Sequence, residues 1–282
     1  MPSHHSGEAP DEALEEAARL AREKAPSLCA GCDWNHGLWP TLRLLGLVTE
    51  PALHGEFLRP ALAAVPGAAP RVLLSGAADH ALLAQVLAAY AGRSPRITVL
   101  DICETPLMLN RWYAERRGVR IETQRSDILD YEAAGAFDVV CTHAFLGNFD
   151  PPKRAALMRK WHSLLQPGGK VITVNRLRPG REPQWVAFSV DQVWAYRARV
   201  EEAAQARGLR IERLGRAAEV YATRQAMFPL GSAMEFDALL RGADFEVERM
   251  TVAPLASAVQ QQVSAPTVPS GDDYALLIAV RR

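Results

Sequence analysis

The side chains able to do chemistry fall into five short clusters. Cys29 and Cys32 stand three apart with His36 close behind, two thiols and an imidazole of the kind that ligate zinc or, as a thiol pair, do redox work. A structural zinc takes four ligands, and neither a second CxxC nor a further His/Cys group lies nearby, so the sequence predicts no metal and leaves the pair as small residues in a loop. Ser75-Gly76-Ala77, continued by Ala78, Asp79 and His80, is a small-residue turn where a backbone can approach a ligand closely. Asp101, 25 residues beyond Gly76, is placed to accept hydrogen bonds from both hydroxyls of a ribose. Ser126-Asp127-Ile128 and Thr142-His143 complete the set, the last with an imidazole that takes a proton near neutral pH.

Each cluster from Ser75 onward ends a short apolar run. From residue 71 the runs RVLLS, RITVLD, VRIETQ, FDVVCT and KVITVN alternate with helical segments at residues 79–91, 105–117 and 151–165. That alternation predicts an α/β domain, a doubly wound and mostly parallel sheet, in which ligands bind beyond the carboxyl ends of the strands. Two late runs, DFEVERMTV and DYALLIAVRR, would add an antiparallel pair at one edge, joined by an uncharged loop at residues 251–271. Before the sheet, helical spacing predicts helices at residues 11–24, ended by Pro26, and at residues 38–47 and 51–64. The Pro/Gly/Ala stretch at residues 65–70 is the best boundary, giving a tail at 1–10, a helical cap at 11–69 and a sheet domain at 70–282. A helical insertion is expected at about 184–230, with helices at 190–207 and 216–227, and another helix at 232–241.

The 282 residues hold 32 Lys+Arg against 32 Asp+Glu, with 49% hydrophobic residues, enough apolar material for a packed core and no global attraction to phosphate backbones or anionic lipid. The first ten residues lack the apolar centre of a signal peptide and no run reaches the length of a spanning helix, so the expected setting is cytoplasmic. Only Lys24, Lys153, Lys160 and Lys170 are lysines; the dominance of arginine and alanine fits a GC-rich bacterial coding bias.

In order and spacing these segments resemble the class I S-adenosylmethionine-dependent methyltransferases. VLLSGAAD stands at the first glycine motif, ITVLD carries its terminal acid, RSDILD and FDVVCTHAFLGNF follow, and LQPGGKVITVNRL has the Pro-Gly-Gly turn running into the fifth strand. The resemblance covers about residues 71–282 and implies a Rossmann-like fold, S-adenosylmethionine as cofactor and methyl transfer as the activity. It implies that Ser75, Gly76 and Ala77 line the methionine part, Asp101 the ribose, Ile102 and Ile128 the adenine, Asp127 the adenine amino group, and Thr142 and His143 the sulfonium. One departure is Leu74 where the family has an acid before its first glycine, with Ala77, Ala78 and His80 where further glycines are usual. Arg43, from the front helices, is the candidate replacement contact, meeting the cofactor carboxylate in a bidentate pair.

The sulfonium is already activated, so the protein's part would be orientation and exclusion of water, with His143 or His36 as an optional base. The acceptor pocket is expected from the segments outside the common core, with Trp34, Asn148 and Tyr221 as substrate contacts. Trp185, Phe188, Trp194, Tyr196 and Phe228 are read either as an aromatic cage or as the insertion's own core. A small-molecule acceptor in bacterial biosynthesis is the expectation; nucleic acid is not, since there is no basic tail and no strand end suited to a flipped base. Two alternatives stay open: other chemistry on the same cofactor, by cyclisation or aminocarboxypropyl transfer with release of 5'-methylthioadenosine, and a non-catalytic partner protein.

Overall fold

The computed structural model describes residues 10–180, 182–254 and 273–282. Seven strands form one sheet: β1 (Arg71–Ser75), β2 (Arg96–Asp101), β3 (Glu122–Arg125), β4 (Phe137–His143), β5 (Leu165–Leu177), and two further strands described below. The first five all pair in parallel, with β1 between β2 and β4. The helices between them are α5 (Ala81–Ala89), α6 (Glu104–Arg116) and α7 (Pro151–Leu164), the last opened by Asp150, whose carboxylate accepts from Lys153 N at 3.0 Å. The Val72-Leu73-Leu74 centre of β1 is apolar on both faces because a parallel sheet is covered on both sides. Alternation sends Val72, Leu74, Val99 and Cys141 to the face under α5 and α6, while Leu73, Leu100 and Val140 face α7 and its Trp161.

Chain direction changes at the far edge. β8 (Phe245–Pro254) and β9 (Asp273–Arg281) give the order β3-β2-β1-β4-β5-β9-β8, with β9 antiparallel to both neighbours. The late pair is thus antiparallel as the sequence indicates, but it is the second strand in sequence that inserts next to β5. Of the predicted loop, residues 251–254 belong to β8 and residues 255–271 lie outside the described residues, as do residues 1–9 of the expected tail.

In the front segment, α1 (Pro10–Leu28) does not stop at Pro26 but carries it in its last turns, α2 (Asp33–His36) and α3 (Trp39–Leu44) are short, and a 3-10 turn Pro51–His54 leads into α4 (Gly55–Ala63). The stretch at 65–70 separates segments in sequence but not in packing: Phe57, Leu58, Leu62 and Val65 share one core with β1, β2 and α5. The insertion holds α8 (Val190–Ala206), which starts at a Ser189/Gln192 capping box, and α9 (Ile211–Arg224), five residues earlier than predicted. It is closed by a small ribbon of β6 (Val186–Ala187) and β7 (Ala226–Met227), after which α10 (Ala233–Arg241) leads to β8.

Leu38 and Leu42 of the front segment and Val200, Leu214, Ala218 and Tyr221 of the insertion form a separate core. The cap is therefore built from two distant stretches of chain, and it sits over the carboxyl ends of the strands. Its return to the sheet is held by Arg154, fully buried on α7, which donates to the carbonyls of Leu146 (3.1 Å), Phe228 (2.5 Å) and Pro229 (2.8 Å). A guanidinium fork serves three acceptors that no lysine or apolar group reaches together. Arg154→Met should accordingly lower the unfolding free energy by about 3 kcal/mol, the scale for stranding buried partners of a lost charge, in urea denaturation; a loss under about 1 kcal/mol would show these bonds to be replaceable by water.

Candidate active site

β1 and β4 are neighbours whose following helices leave toward opposite edges, so a crevice opens above their ends. Gly76 continues β1 with φ +67, and a Cβ there would collide with the Phe145 ring. Phe145 is brought over by Ala144, a non-glycine residue at φ 52 whose N–H donates to Val174 O at 2.7 Å. Asn175 accepts from the N–H groups of Phe145 and Leu146 at 3.1 and 3.0 Å, fixing the turn.

Two adjoining cavities result, with Asn35, Gly76, Ala78, Phe145 and Asn148 in the walls of both. One, of about 390 Å³, lies over β1, β2 and β3 and is lined by Ser75, Asp101, Ile102, Asp127, Ile128 and, from the cap, His36. Asp101 accepts from Cys103 N at 2.9 Å, and burial pushes its pKa above the usual carboxylate range. Asp127 accepts from Leu129 N at 2.9 Å, so both acids are held by their own turns. Ile102 is 62% exposed at the lip, an apolar surface open to a flat ligand, whereas Ile128 is buried. The buried Ser75 hydroxyl has no partner among the described residues.

The other cavity, of about 210 Å³, lies under the cap and is lined by Ala77, His143, Tyr221, Asn148 and Arg43 among others. His143 Nε2 meets Nδ1 of His54 at 3.0 Å, and His54 packs on the Tyr274 ring at 4.6 Å. Burial lowers the His143 pKa to about 3, helped by repulsion from His54, and burial lowers His54 to about 4, so both imidazoles are neutral at pH 7 and share one N–H between them. Arg43 donates to Asp79 at 2.7 Å and to Glu50 at 2.9 Å. Burial alone would raise Asp79, but the Arg43 guanidinium outweighs it and holds the carboxyl below its usual range.

Several expected residues stand elsewhere. Thr142 turns into the sheet, its hydroxyl 2.7 Å from that of Thr173, because strand alternation points it away from the crevice that His143 faces. Trp34 packs behind Tyr221 at 5.8 Å in the cap core, and Asn35 of α2 and Trp39 at the start of α3 face the cavity in its place. Arg43 is committed to two carboxylates rather than open for a bidentate contact. Trp185 and Trp194 are exposed, and Phe188 and Tyr196 are cap core, so of the insertion's aromatics considered it is Tyr221 that reaches the cavity. Asp150, not Asn148, caps α7, which leaves Asn148 to the cavities. Glu50 and His54 escaped the sequence reading, and Asp79 was read only as part of the glycine turn, with no role of its own.

Residues 76–169 match the family model of a methyltransferase domain. Over 92 residues the chain is 34% identical to the ubiquinone biosynthesis O-methyltransferase of Azotobacter vinelandii, covering 31% of this chain and 39% of that protein. The corresponding Pseudomonas aeruginosa enzyme (strain UCBPP-PA14) is 33% identical over the same length. The match thus spans about two fifths of the length of these relatives. Among solved structures, the fold is similar to 1,6-didemethyltoxoflavin-N1-methyltransferase of Burkholderia thailandensis (17% identity, 99% of this chain and 93% of that one, TM-score 0.51). It is also similar to geranyl diphosphate C-methyltransferase of Streptomyces coelicolor A3(2) (13%, 82% and 76%, 0.53) and to the [4+2]-cyclase SpnF (14%, 79% and 79%, 0.52). Strand order, crevice and domain match together give this chain the Rossmann-like fold of class I S-adenosylmethionine-dependent methyltransferases, with a methyltransferase domain matched over residues 76–169.

Proposed function

We propose that the chain binds S-adenosylmethionine across the two adjoining cavities and passes its methyl group to a small-molecule acceptor held under the cap. The observation that carries this reading is the meeting of an acid-lined cavity and a histidine-lined cavity at Gly76, on the strand-order reversal. The residues fit the cofactor on two further counts. The partnerless Ser75 hydroxyl and the exposed Ile102 face are surfaces that a nucleoside would satisfy and cover.

In this reading Asp101 takes the ribose hydroxyls, Asp127 the adenine amino group, and Ile102 and Ile128 its faces. Gly76, with Ala77, lets backbone approach the methionine portion. Arg43 serves by position: one guanidinium with Asp79 and Glu50 leaves one net negative charge beside the 210 Å³ cavity, suited to an ammonium. The cofactor supplies an activated methyl on sulfur, so the protein needs to align an acceptor and keep water out. Residues 11–69 and the insertion at 184–230 act as the cap that does so, with Asn148 and Tyr221 on the acceptor side. His143, neutral and braced by His54, receives the acceptor's hydrogen bond and takes up its proton as the methyl moves. A small organic acceptor and a cytoplasmic setting complete the proposal; the ubiquinone biosynthesis O-methyltransferases, 1,6-didemethyltoxoflavin-N1-methyltransferase and geranyl diphosphate C-methyltransferase support the acceptor class by their names.

Calorimetric titration with S-adenosylmethionine and S-adenosylhomocysteine tests binding, and mass spectrometry of the nucleoside released over an acceptor panel tests chemistry. Asp101→Ala should weaken both ligands at least about tenfold, as loss of a charged hydrogen-bond partner does. His143→Ala should leave affinity within about twofold and slow turnover about a hundredfold. Unchanged affinity in the Asp101 variant removes the site assignment, and release of 5'-methylthioadenosine without an acceptor removes methyl transfer.

The histidine pair also links folding to pH. Unfolded imidazoles protonate near 6.5, whereas in the folded chain His54 resists until about 4 and His143 until about 3, so the stability they allow is complete above 6.5 and is lost as pH falls toward 4. Each contributes up to about 1.4 kcal/mol per pH unit in that window. Melting temperatures followed from pH 7.5 to 4.5 should fall less steeply for His54→Phe than for the wild type; equal slopes would mean the pair is already hydrated.

A further inference from the structure

The CxxC motif of the front segment meets a ligand that sequence spacing concealed. Cys29 follows α1, with its N–H on Ala25 O at 2.9 Å; Cys32 and His36 bracket the single turn of α2. Cys103, 71 residues beyond Cys32, stands at the start of α6 directly after β2. The three sulfurs and a ring nitrogen of His36 all lie within 4.8 Å of one another, with Cys29 Sγ 3.2 Å from Cys103 Sγ and 3.7 Å from His36 Nδ1. Ligands of a tetrahedral zinc at about 2.0–2.3 Å from the ion are about 3.3–3.8 Å apart, so the cluster already has the size of such a site.

We infer that Cys29, Cys32, His36 and Cys103 bind one zinc ion in a closed Cys3His site that pins the cap to the end of β2. Three thiolates and an imidazole are a soft, four-donor set that favours zinc over magnesium, calcium or manganese, and with all four positions filled by protein the ion is structural. The expectation of no metal rested on a missing fourth ligand, and folding supplies it from the sheet domain. Thr105, whose hydroxyl lies 3.2 Å from Cys29 Sγ, donates a hydrogen bond to that thiolate from outside the ligand set. The net negative charge of such a centre sits at the N-terminus of α6, where the helix dipole favours it. His36 is then a ligand and not a base. Cys32 and His36 also line the cavity that contains Asp101, so the ion fixes one wall of that cavity. None of this depends on methyl transfer.

Untagged full-length protein, prepared under reducing conditions without chelator, should carry about one zinc per chain by inductively coupled plasma mass spectrometry. Replacement by cobalt(II) should give an intense sulfur-to-metal charge-transfer band. Cys32→Ser, at a half-buried position that spares the core, should lose zinc to a chelator at concentrations at least about tenfold lower than the wild type, and Cys103→Ser likewise. Less than about 0.1 zinc per chain after incubation of the wild type with zinc chloride overturns the site. So does unchanged retention in Cys32→Ser, or an intact mass showing a Cys29–Cys103 disulfide in the wild type prepared under reducing conditions. The wild-type readings stand even if a variant fails to fold.

Discussion

Everything at the candidate site depends on the parallel pairing of β1 with β4. Their hydrogen-bonded neighbourhood is fixed over Val72, Leu73 and Leu74, yet the crossovers that follow them diverge to opposite edges. No helix can then cover the gap between the two strand ends, and the backbone that leaves them must turn at once. Gly76 turns β1 with a positive φ and Ala144 turns β4 in the same uncommon region, at a cost of about 1 kcal/mol for the latter that the Asn175 and Val174 bonds offset. Phe145 against Gly76 is the partition that makes two cavities of one crevice.

The second layer of organisation is the cap, and it has no independent core from either of its sources. α2 and α3 are too short to be stable alone, and α8 with α9 exposes Tyr196 and Tyr221 unless something covers them. Each stretch is completed by the other, so a cap over the site forms when residues near 40 and near 210 meet. That mutual dependence places Trp34, Phe188 and Tyr196 inside the cap, while Tyr221 and Trp39 share the cavity wall with polar groups such as Asn35, Asn148 and Gln225.

Much of the sheet was legible in the sequence because β1, β2, β4 and the second half of β5 are apolar runs closed by a polar residue, a pattern that burial on both faces forces, whereas the edge strand β3 is polar and exposed. Asp101, Asp127 and His143 were visible as those closing residues. Trp34 and Thr142 were misplaced by a single step of phase: one residue along a helix or strand turns a side chain to another face. Arg43, Asp79 and Glu50 form a triad across three segments, and Cys103 joins Cys29, Cys32 and His36 from far along the chain; pairings of that range carry no local signal. His54 was hidden for the same reason, since nothing near it in sequence marks it as the neighbour of His143.

Arg154 has a mechanical meaning beyond its hydrogen bonds. By gripping the carbonyls of Phe228 and Pro229 it ties the end of the insertion to α7, while the cysteine cluster brings the cap's other source to the start of α6. With the Arg43–Asp79 ion pair and the His54–His143 contact, these attachments tie both sources of the cap to the sheet domain, so the walls of the crevice are set by contacts between segments far apart in the chain.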